Sequence, residues 1–254
     1  MNYTDLREGD HLPMVGVLQQ LLNSTGASLV PDGIFGRRTL AAVKAFQRVR
    51  GLVQDGIVGE ETWGRLAAGM SLPILDTIDV WDPTFLSEDA TYIQQAKGNP
   101  LLIGGMCNGV EQAVSLLAGS RNVFLLRFHG HGSAGGAGVG RGHGELDPDW
   151  EERSRIWADP EILDTLSRLR SIFGPYGCVE FISCETGRGP KGLNLLSQLA
   201  ARLDVPVTAA KLSQPFGKLW SFRLFGPTVT AVPGGVSLSQ WCRSLPGFAG
   251  RSAA

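Results

Sequence analysis

No two cysteines in this chain stand in a CxxC pair. The four present, Cys107, Cys178, Cys184 and Cys242, are scattered, so zinc-ribbon and thioredoxin-type readings fail on spacing. A chain of 254 residues has no need of disulfides for stability, and free thiols are expected. There is no charge excess. Twenty-three basic residues face twenty-four acidic ones for a formal net charge of -1, so no global field favours nucleic acid or anionic lipid, and neither is expected as a partner. No run approaches the roughly 18 apolar residues that span a bilayer, and no membrane partner is expected. The opening MNYTDLREGDHLPMV has acids where a secretory leader needs basic residues and then an apolar core. Either a leader has been removed, or the chain leaves the cytoplasm by another route, or it stays there. No GxxxxGK[ST] occurs, and the glycine-rich run after residue 130 leads into acidic residues, not a helix N-terminus, so a phosphate cradle is weak. What remains is ordinary globular composition, 43% hydrophobic and 19% charged, with room for a small module and a larger one.

The first 68 residues contain an echo. DGIFGRRTLAAV, from Asp32 to Val43, is answered by DGIVGEETWGRL, from Asp55 to Leu66. Each copy reads as an Asp-Gly turn followed by a helix, with glycine free to take positive φ. Leu40, Val43 and Phe46 recur at helical spacing, as do Val15, Leu18, Leu21 and Leu22 upstream. Gly51 stands where a helix C-terminal cap belongs. Three short helices are expected.

Taken in order, the Leu-Gln pair at 18–19, both DGxxG turns, the AVKAFQ helix and the closing Thr62-Trp63 resemble the type 1 peptidoglycan-binding domain across residues 1–68. The resemblance implies binding of cell-wall glycopeptide through a shallow groove, and a place in the cell envelope or outside the cell. The motif it singles out is Asp32, Gly33, Gly36, Asp55, Gly56, Gly59, Thr62 and Trp63. Most of these, with Leu18, Phe35 and Phe46, are expected to hold the fold, so binding belongs to the module and not to any one side chain. Such modules also serve as pro-segments in some metallopeptidases.

From Gly69 to Leu75 the pattern lapses around Pro73, and a linker over 69–75 is expected. Beyond it the periodicity changes. Apolar runs at 77–81, 122–129, 178–184, 205–210 and 228–233 read as buried strands. Amphipathic helices are expected over 159–173, capped by Asp159 with Pro160 at its first position, and over 192–203. Strands alternating with helices mean an α/β domain over 76–254 with a largely parallel sheet flanked by helices. A right-handed crossover from the strand ending at His129 to the strand ending near Cys184 places both ends on one edge. Ligands bind open parallel sheets there. A histidine beside a cysteine in such a crevice is the layout thiolate catalysis needs.

The strand followed by HGHGS, and the later strand followed by SCETG, resemble the caspase-like cysteine peptidases, closest in pattern to bacterial metacaspase relatives. The resemblance spans roughly residues 75–235 and implies a caspase-like fold. It puts His131, with Gly132 and Ser133, in the place of the catalytic histidine and Cys184 in that of the nucleophile, with an oxyanion hole from the N–H groups of Gly132 and Cys184. His129 becomes the bystander. Metacaspases that cut after basic residues carry an acid two positions before the cysteine; here that position is Ile182, so the basic preference does not carry over. Glu180, Glu185 and the acidic residues 145–152 are the candidates for charge in a substrate pocket, against a solvated loop as the plainer account. Residues 130–144 read as a loop that orders on activation or substrate binding, or is simply flexible. A zinc site from His129, His131, His143 and a cysteine matches no metal geometry, so no metal and no cofactor are expected. Three functions stay open: a cysteine endopeptidase acting on protein or peptide and targeted by its N-terminal module; a wall-binding adaptor with an inactive α/β domain; and a cysteine hydrolase of peptidoglycan stem peptides. Histidine precedes cysteine here, the reverse of the familiar wall-cleaving cysteine enzymes, and this favours a protein substrate.

Overall fold

The computed structural model describes residues 3–80, 82–104, 108–140, 155–218 and 220–248. The chain divides into two compact units, one of residues 3–72 with the segment from 236 onward, the other of residues 73–235. The C-terminal segment was expected with the α/β domain; it belongs instead to the first unit.

The first unit is built on α1 (Pro13–Ser24), α2 (Arg37–Val49) and α3 (Glu60–Leu66). Leu18, Leu21, Leu22, Phe35, Val43, Phe46 and Trp63 form its interior. The echo has a polar cause that its spacing does not display. The Gln19 amide donates to Asp32 Oδ1 (2.8 Å), Ile34 O and Thr39 Oγ1, and its carbonyl accepts from the N–H groups of Asp32 and Gly33. Gln47 repeats the pattern with Asp55 Oδ1 (2.9 Å), Ile57 O, Thr62 Oγ1 and the Gly56 N–H. Each buried glutamine therefore ties a DG turn to the start of the next helix, where an unsatisfied amide would cost about 1–3 kcal/mol. Gly33 and Gly56 hold φ of 77° and 78°, the region that glycine enters without steric cost. Gly36 and Gly59 are the extended residues before α2 and α3, and the Trp63 indole donates to Thr4 O. Asp32, Gly33, Gly36, Asp55, Gly56, Gly59, Thr62 and Trp63 thus all serve the fold. Gly51 takes φ +67° after α2, as its capping position requires.

A further helix, Leu238–Ser244, starts from a Ser237–Gln240 capping box and packs on α1. A Cβ on Gly16 would stand 2.8 Å from Cys242 Cβ and closer still to its sulfur, and one on Gly33 would stand 2.9 Å from Leu238 Cδ2. The first DG turn is packed against this helix.

The second unit is a six-stranded sheet in the order β2-β1-β3-β7-β8-β9. Its strands are β1 (Ile74–Asp79), β2 (Leu101–Ile103), β3 (Val123–His129), β7 (Phe173–Ile182), β8 (Val207–Ala210) and β9 (Thr228–Ala231). The first five in the spatial order are parallel, and β9 runs against β8. On one face Leu126, Phe128, Val179, Phe181 and Val207 pack beneath the helices Gly109–Leu117, Pro160–Ser167 and Gly189–Leu203. The other face carries Ile78, Arg127, His129 and Glu180, covered by the helical residues 83–95, which include one π-type turn, and by the short helix Trp220–Phe222. A second, antiparallel sheet joins β4 (Gly132–Ser133), β5 (Gly136–Gly138) and β6 (Arg155–Trp157).

Several boundaries differ from the sequence expectation. β1 starts at Ile74, inside the expected linker. The helix capped by Asp159 ends at Ser167, and a 3₁₀ turn, Arg170–Ile172, leads straight into β7. Gly174 precedes Pro175, which forces extended backbone there. Within the glycine-rich run, residues 132–138 form a hairpin, and residues 141–144 lie outside the described residues. His143, residues 145–152 and Cys107 lie outside the described residues.

Candidate active site

β3 and β7 are parallel neighbours, with His129 opposite Ile182 in register. Their chains leave the sheet at the same edge, and Gly130 N–H still reaches Ile182 O at 3.4 Å. One step further, the two turns meet. A Cβ on Gly132 would stand 2.8 Å from the Cys184 nitrogen, 2.7 Å from Thr186 Oγ1 and nearer still to the Cys184 carbonyl oxygen. Only glycine lets the chain after His131 lie directly on the cysteine's backbone. Thr186 locks the contact. Its hydroxyl donates to Gly136 O and hydrogen-bonds Ser183 Oγ at 2.7 Å, while Gly135 N–H donates to Thr186 O. His131 O accepts from Gly138 N–H at 2.7 Å. That makes Gly132–Ala137 the non-hydrogen-bonded pair of the hairpin, with the Gly132 N–H turned away from β5.

The sulfur of Cys184 is half-buried and accepts the Gln214 N–H at 3.3 Å. Cys178 and Cys242 are buried thiols, and burial, foremost, pushes the Cys242 thiol up to about 12. The His131 ring is held by two groups the sequence reading passed over. Its Nε2 lies 3.1 Å from Asp82 Oδ2, and Phe85 packs edge-on against it at 5.3 Å between centroids. Asp82 also accepts the Thr84 N–H at 2.8 Å and caps the helical residues 83–95. That N–H, first, and His131 hold its carboxyl below the usual carboxylate range. The dipeptide Asp82-Pro83, an N-cap followed by proline at the first helical position, is the signal that announces this helix.

His129 has a different duty. Buried in the sheet, it places Nδ1 2.9 Å from Asp89 Oδ2 and Nε2 3.2 Å from Asp76 Oδ1. Arg127 Nε donates to the same Asp76 oxygen at 2.6 Å, and Ser221 Oγ donates to Asp89 Oδ1. Burial opposes the charged forms of His129, Asp76 and Asp89, yet the pairings prevail. His129 is raised above its ordinary value, Asp76 is held at about 2, and Asp89 is lowered.

The two glutamates proposed for a substrate pocket are not set alike. Glu180 is 1% exposed in mid-strand, between Arg127 and Thr208 in register, and does not reach the sheet edge; its placement corrects that expectation. Glu185 is half-exposed beside Cys184, but its carboxylate pairs with Arg188 at 2.7 Å. Ile182 packs with Ala210 and Leu224. Among the described residues no group of three or more His, Cys, Asp or Glu side chains could hold a metal ion. No helix among them is long and apolar enough to cross a membrane.

The larger unit is thus a mixed α/β domain with a mostly parallel six-stranded sheet. The smaller one resembles a recognised class. Residues 12–66 match the family described as "Putative peptidoglycan binding domain", which supports peptidoglycan binding by this N-terminal module. Over 63 residues the chain is 46% identical to an uncharacterized protein from the bpoA1 3′ region of Kitasatospora aureofaciens, covering 24% of this chain and 53% of that protein. The chain therefore spans about half the length of this curated relative. Among solved structures, a peptidoglycan-binding protein from Clostridioides difficile is 35% identical over 26% of this chain and 41% of its own, with a TM-score of 0.25. The Burkholderia AP3 phage endolysin is 40% identical over 35% of this chain and 33% of its own, with a TM-score of 0.25. The L,D-transpeptidase of Xylanimonas cellulosilytica is 32% identical over 30% and 41%, with a TM-score of 0.24.

Proposed function

We propose that residues 73–235 are a caspase-like cysteine endopeptidase, brought to the cell wall by the N-terminal module and acting there on protein or peptide substrates. The observation that carries this reading is the packing of Gly132 on the Cys184 backbone, which sets the histidine turn against the cysteine turn at the edge of neighbouring parallel strands. The sheet order, parallel except for its last strand, supports the caspase-like reading.

In this mechanism His131 takes the proton of the Cys184 thiol, and the sulfur attacks the scissile carbonyl carbon. The oxyanion forms against the N–H groups of Gly132 and Cys184; the former already points away from its hairpin. Collapse breaks the C–N bond as His131 returns its proton to the departing amine. A water molecule, giving a proton to His131, then attacks the thioester. The C–S bond breaks, the acid leaves, and the proton goes back to sulfur. Asp82 is the positioning residue that orients the imidazole through Nε2, as a carboxylate does for histidine in other nucleophilic enzymes. Glu185 stays at the rim and Glu180 takes no part.

Full-length protein, Cys184→Ala and His131→Ala are to be compared on casein and on purified peptidoglycan, with iodoacetamide labelling of each cysteine followed by mass spectrometry. Both substitutions should abolish casein cleavage to a similar extent, because groups acting as a unit are non-additive. Cys184 should label well ahead of the buried Cys178 and Cys242. The match of residues 12–66 favours a second reading, in which the same dyad cuts stem peptides. Release from peptidoglycan without casein cleavage would select it. Binding of wall with neither activity would leave the adaptor.

A further inference from the structure

The segment that follows β8 folds back onto the nucleophile. Its Gln214 N–H donates to Cys184 Sγ at 3.3 Å. The Gln214 side chain clasps both arms of the loop, donating to Leu212 O (2.8 Å) and Phe225 O (3.2 Å) and accepting the Phe225 N–H (2.7 Å). The main chain at 212 and at 225 is thereby tied to Gln214, whose own backbone lies against the sulfur. Three large apolar side chains stand in solvent on this clasped loop. Leu212 is 45% exposed, Phe216 44% and Phe225 42%. Phe216 lies 5.3 Å from Phe85, the ring that packs against His131, so an aromatic wall runs from solvent to the base. Large apolar side chains exposed together on one clasped loop mark a binding site more often than singly scattered ones do.

The charges close the argument. Residues 205–254 contain no aspartate or glutamate, and the loop's own charges, Lys211, Lys218 and Arg223, are all cationic, both lysines being exposed. Of the described carboxylates at this edge, Asp79 at the end of β1 is buried, Asp82 is engaged by His131 and the Thr84 N–H, and Glu185 by Arg188. Where an acid would stand two positions before the cysteine, Ile182 packs with Leu224. A cationic side chain here would lose water and gain lysine neighbours, which costs affinity. The group nearest the sulfur in a substrate complex is the residue whose carbonyl is attacked.

Resting on the peptidase reading, we propose that the enzyme cuts after a large apolar residue such as Phe, Leu or Met, whose side chain is seated against Leu212, Phe216 and Phe225. The occupant is a protein segment, since the aromatic wall offers nothing to the small and charged residues of a stem peptide.

The test uses full-length protein and matched fluorogenic peptides that differ only at the residue before the reporter: Phe, Leu, Ala, Arg, Lys and Asp. Casein cleavage by wild type against Cys184→Ala serves as the independent measure of peptidase activity. Phe and Leu peptides should exceed Ala in kcat/KM by about tenfold or more, the scale on which apolar pockets discriminate, and Arg, Lys and Asp by more. Phe216→Ala should cut the Phe-over-Ala ratio several-fold, and Leu212→Ala provides a second exposed site should that variant misfold. Cys184-dependent casein cleavage with Arg, Lys or Asp preferred overturns the proposal and leaves the peptidase reading standing. An unchanged Phe-over-Ala ratio in both folded variants also overturns it. Absence of Cys184-dependent cleavage on every substrate removes the peptidase reading and this proposal together.

Discussion

Gly132→Ala is the sharpest probe of how the two turns meet. An ordinary carbon contact begins near 3.4 Å, and the added Cβ would find the Cys184 nitrogen at 2.8 Å, so the turns must part by roughly 0.6 Å there and by more at the carbonyl oxygen. The obstructing atoms are backbone, so no side-chain rotation relieves them. Overpacking of this kind costs about 1–3 kcal/mol, and in a domain of this size each kcal/mol lowers Tm by about 2–4 °C. On the proposed peptidase reading catalysis should suffer more, since misplacement by about 1 Å can cost about 10²-fold in rate. Differential scanning calorimetry and casein hydrolysis read the two effects. Gly119→Ala, whose Cβ meets nothing within 4 Å, is the control. Wild-type Tm and wild-type turnover in Gly132→Ala would refute the contact, and with it the assembly of His131 and Cys184 as one site.

His129→Gln should destabilise the protein by about 3–5 kcal/mol near pH 6, because buried Asp89 loses its imidazolium partner and Asp76 keeps only Arg127. The raised His129 contributes stability in full below its ordinary 6.5, which is lost as pH rises through the folded value. Asp76 and Asp89 contribute in full above 3.8, and lose it as pH falls through about 2 and through the lowered Asp89 value. Urea unfolding should therefore show this cluster at full strength between roughly pH 4 and 6.5, with a decline at higher pH that His129→Gln lacks; parallel pH profiles would exclude this role. Deleting residues 236–254 should destabilise the wall-binding module although its family match is intact, because α1 and the first DG turn pack on Leu238 and Cys242. Wild-type chemical stability of residues 1–72 expressed alone, followed by circular dichroism, would contradict this.

Turn chemistry and periodicity made much of the fold legible. Both DGxxG turns, the Asp159 cap and the buried runs that become β3, β7, β8 and β9 were apparent, because each owes its form to residues close in the chain. The strand-end placement of His131 and Cys184 followed from the crossover rule alone. What escaped notice depends on distant partners. Gln19 and Gln47 look like surface residues of amphipathic helices until the DG turns they tie are folded against them. Glu180 looks like a pocket acid next to a nucleophile, yet strand alternation puts it under the sheet beside Arg127. The C-terminal helix carried its own capping box, but nothing local could say that it returns to Gly16. β4 and β5 were hidden because a glycine-rich hairpin has no apolar alternation to read.

The two histidines of HGHG are linked through a third element. His129, in the sheet, bonds Asp89, and Asp89 also takes the Ser221 hydroxyl. Both bonds fix the helical residues 83–95 from beneath. The start of that same helix supplies Asp82 and Phe85 to His131. On the peptidase reading, a residue with no contact to the thiol thus sets the stage on which the proposed base is aimed, and its loss should reach turnover through the angle of the imidazole. The pattern of damage would be specific. A merely looser fold raises KM and lowers stability together. A tilted imidazole lowers kcat while leaving the apolar loop at 212–225, and hence KM, nearly untouched. His129→Gln assayed at a temperature where it is fully folded separates the two, with Asp82→Asn as the direct comparison. A kcat loss in Asp82→Asn with none in folded His129→Gln would mean that the helix keeps its place without the histidine.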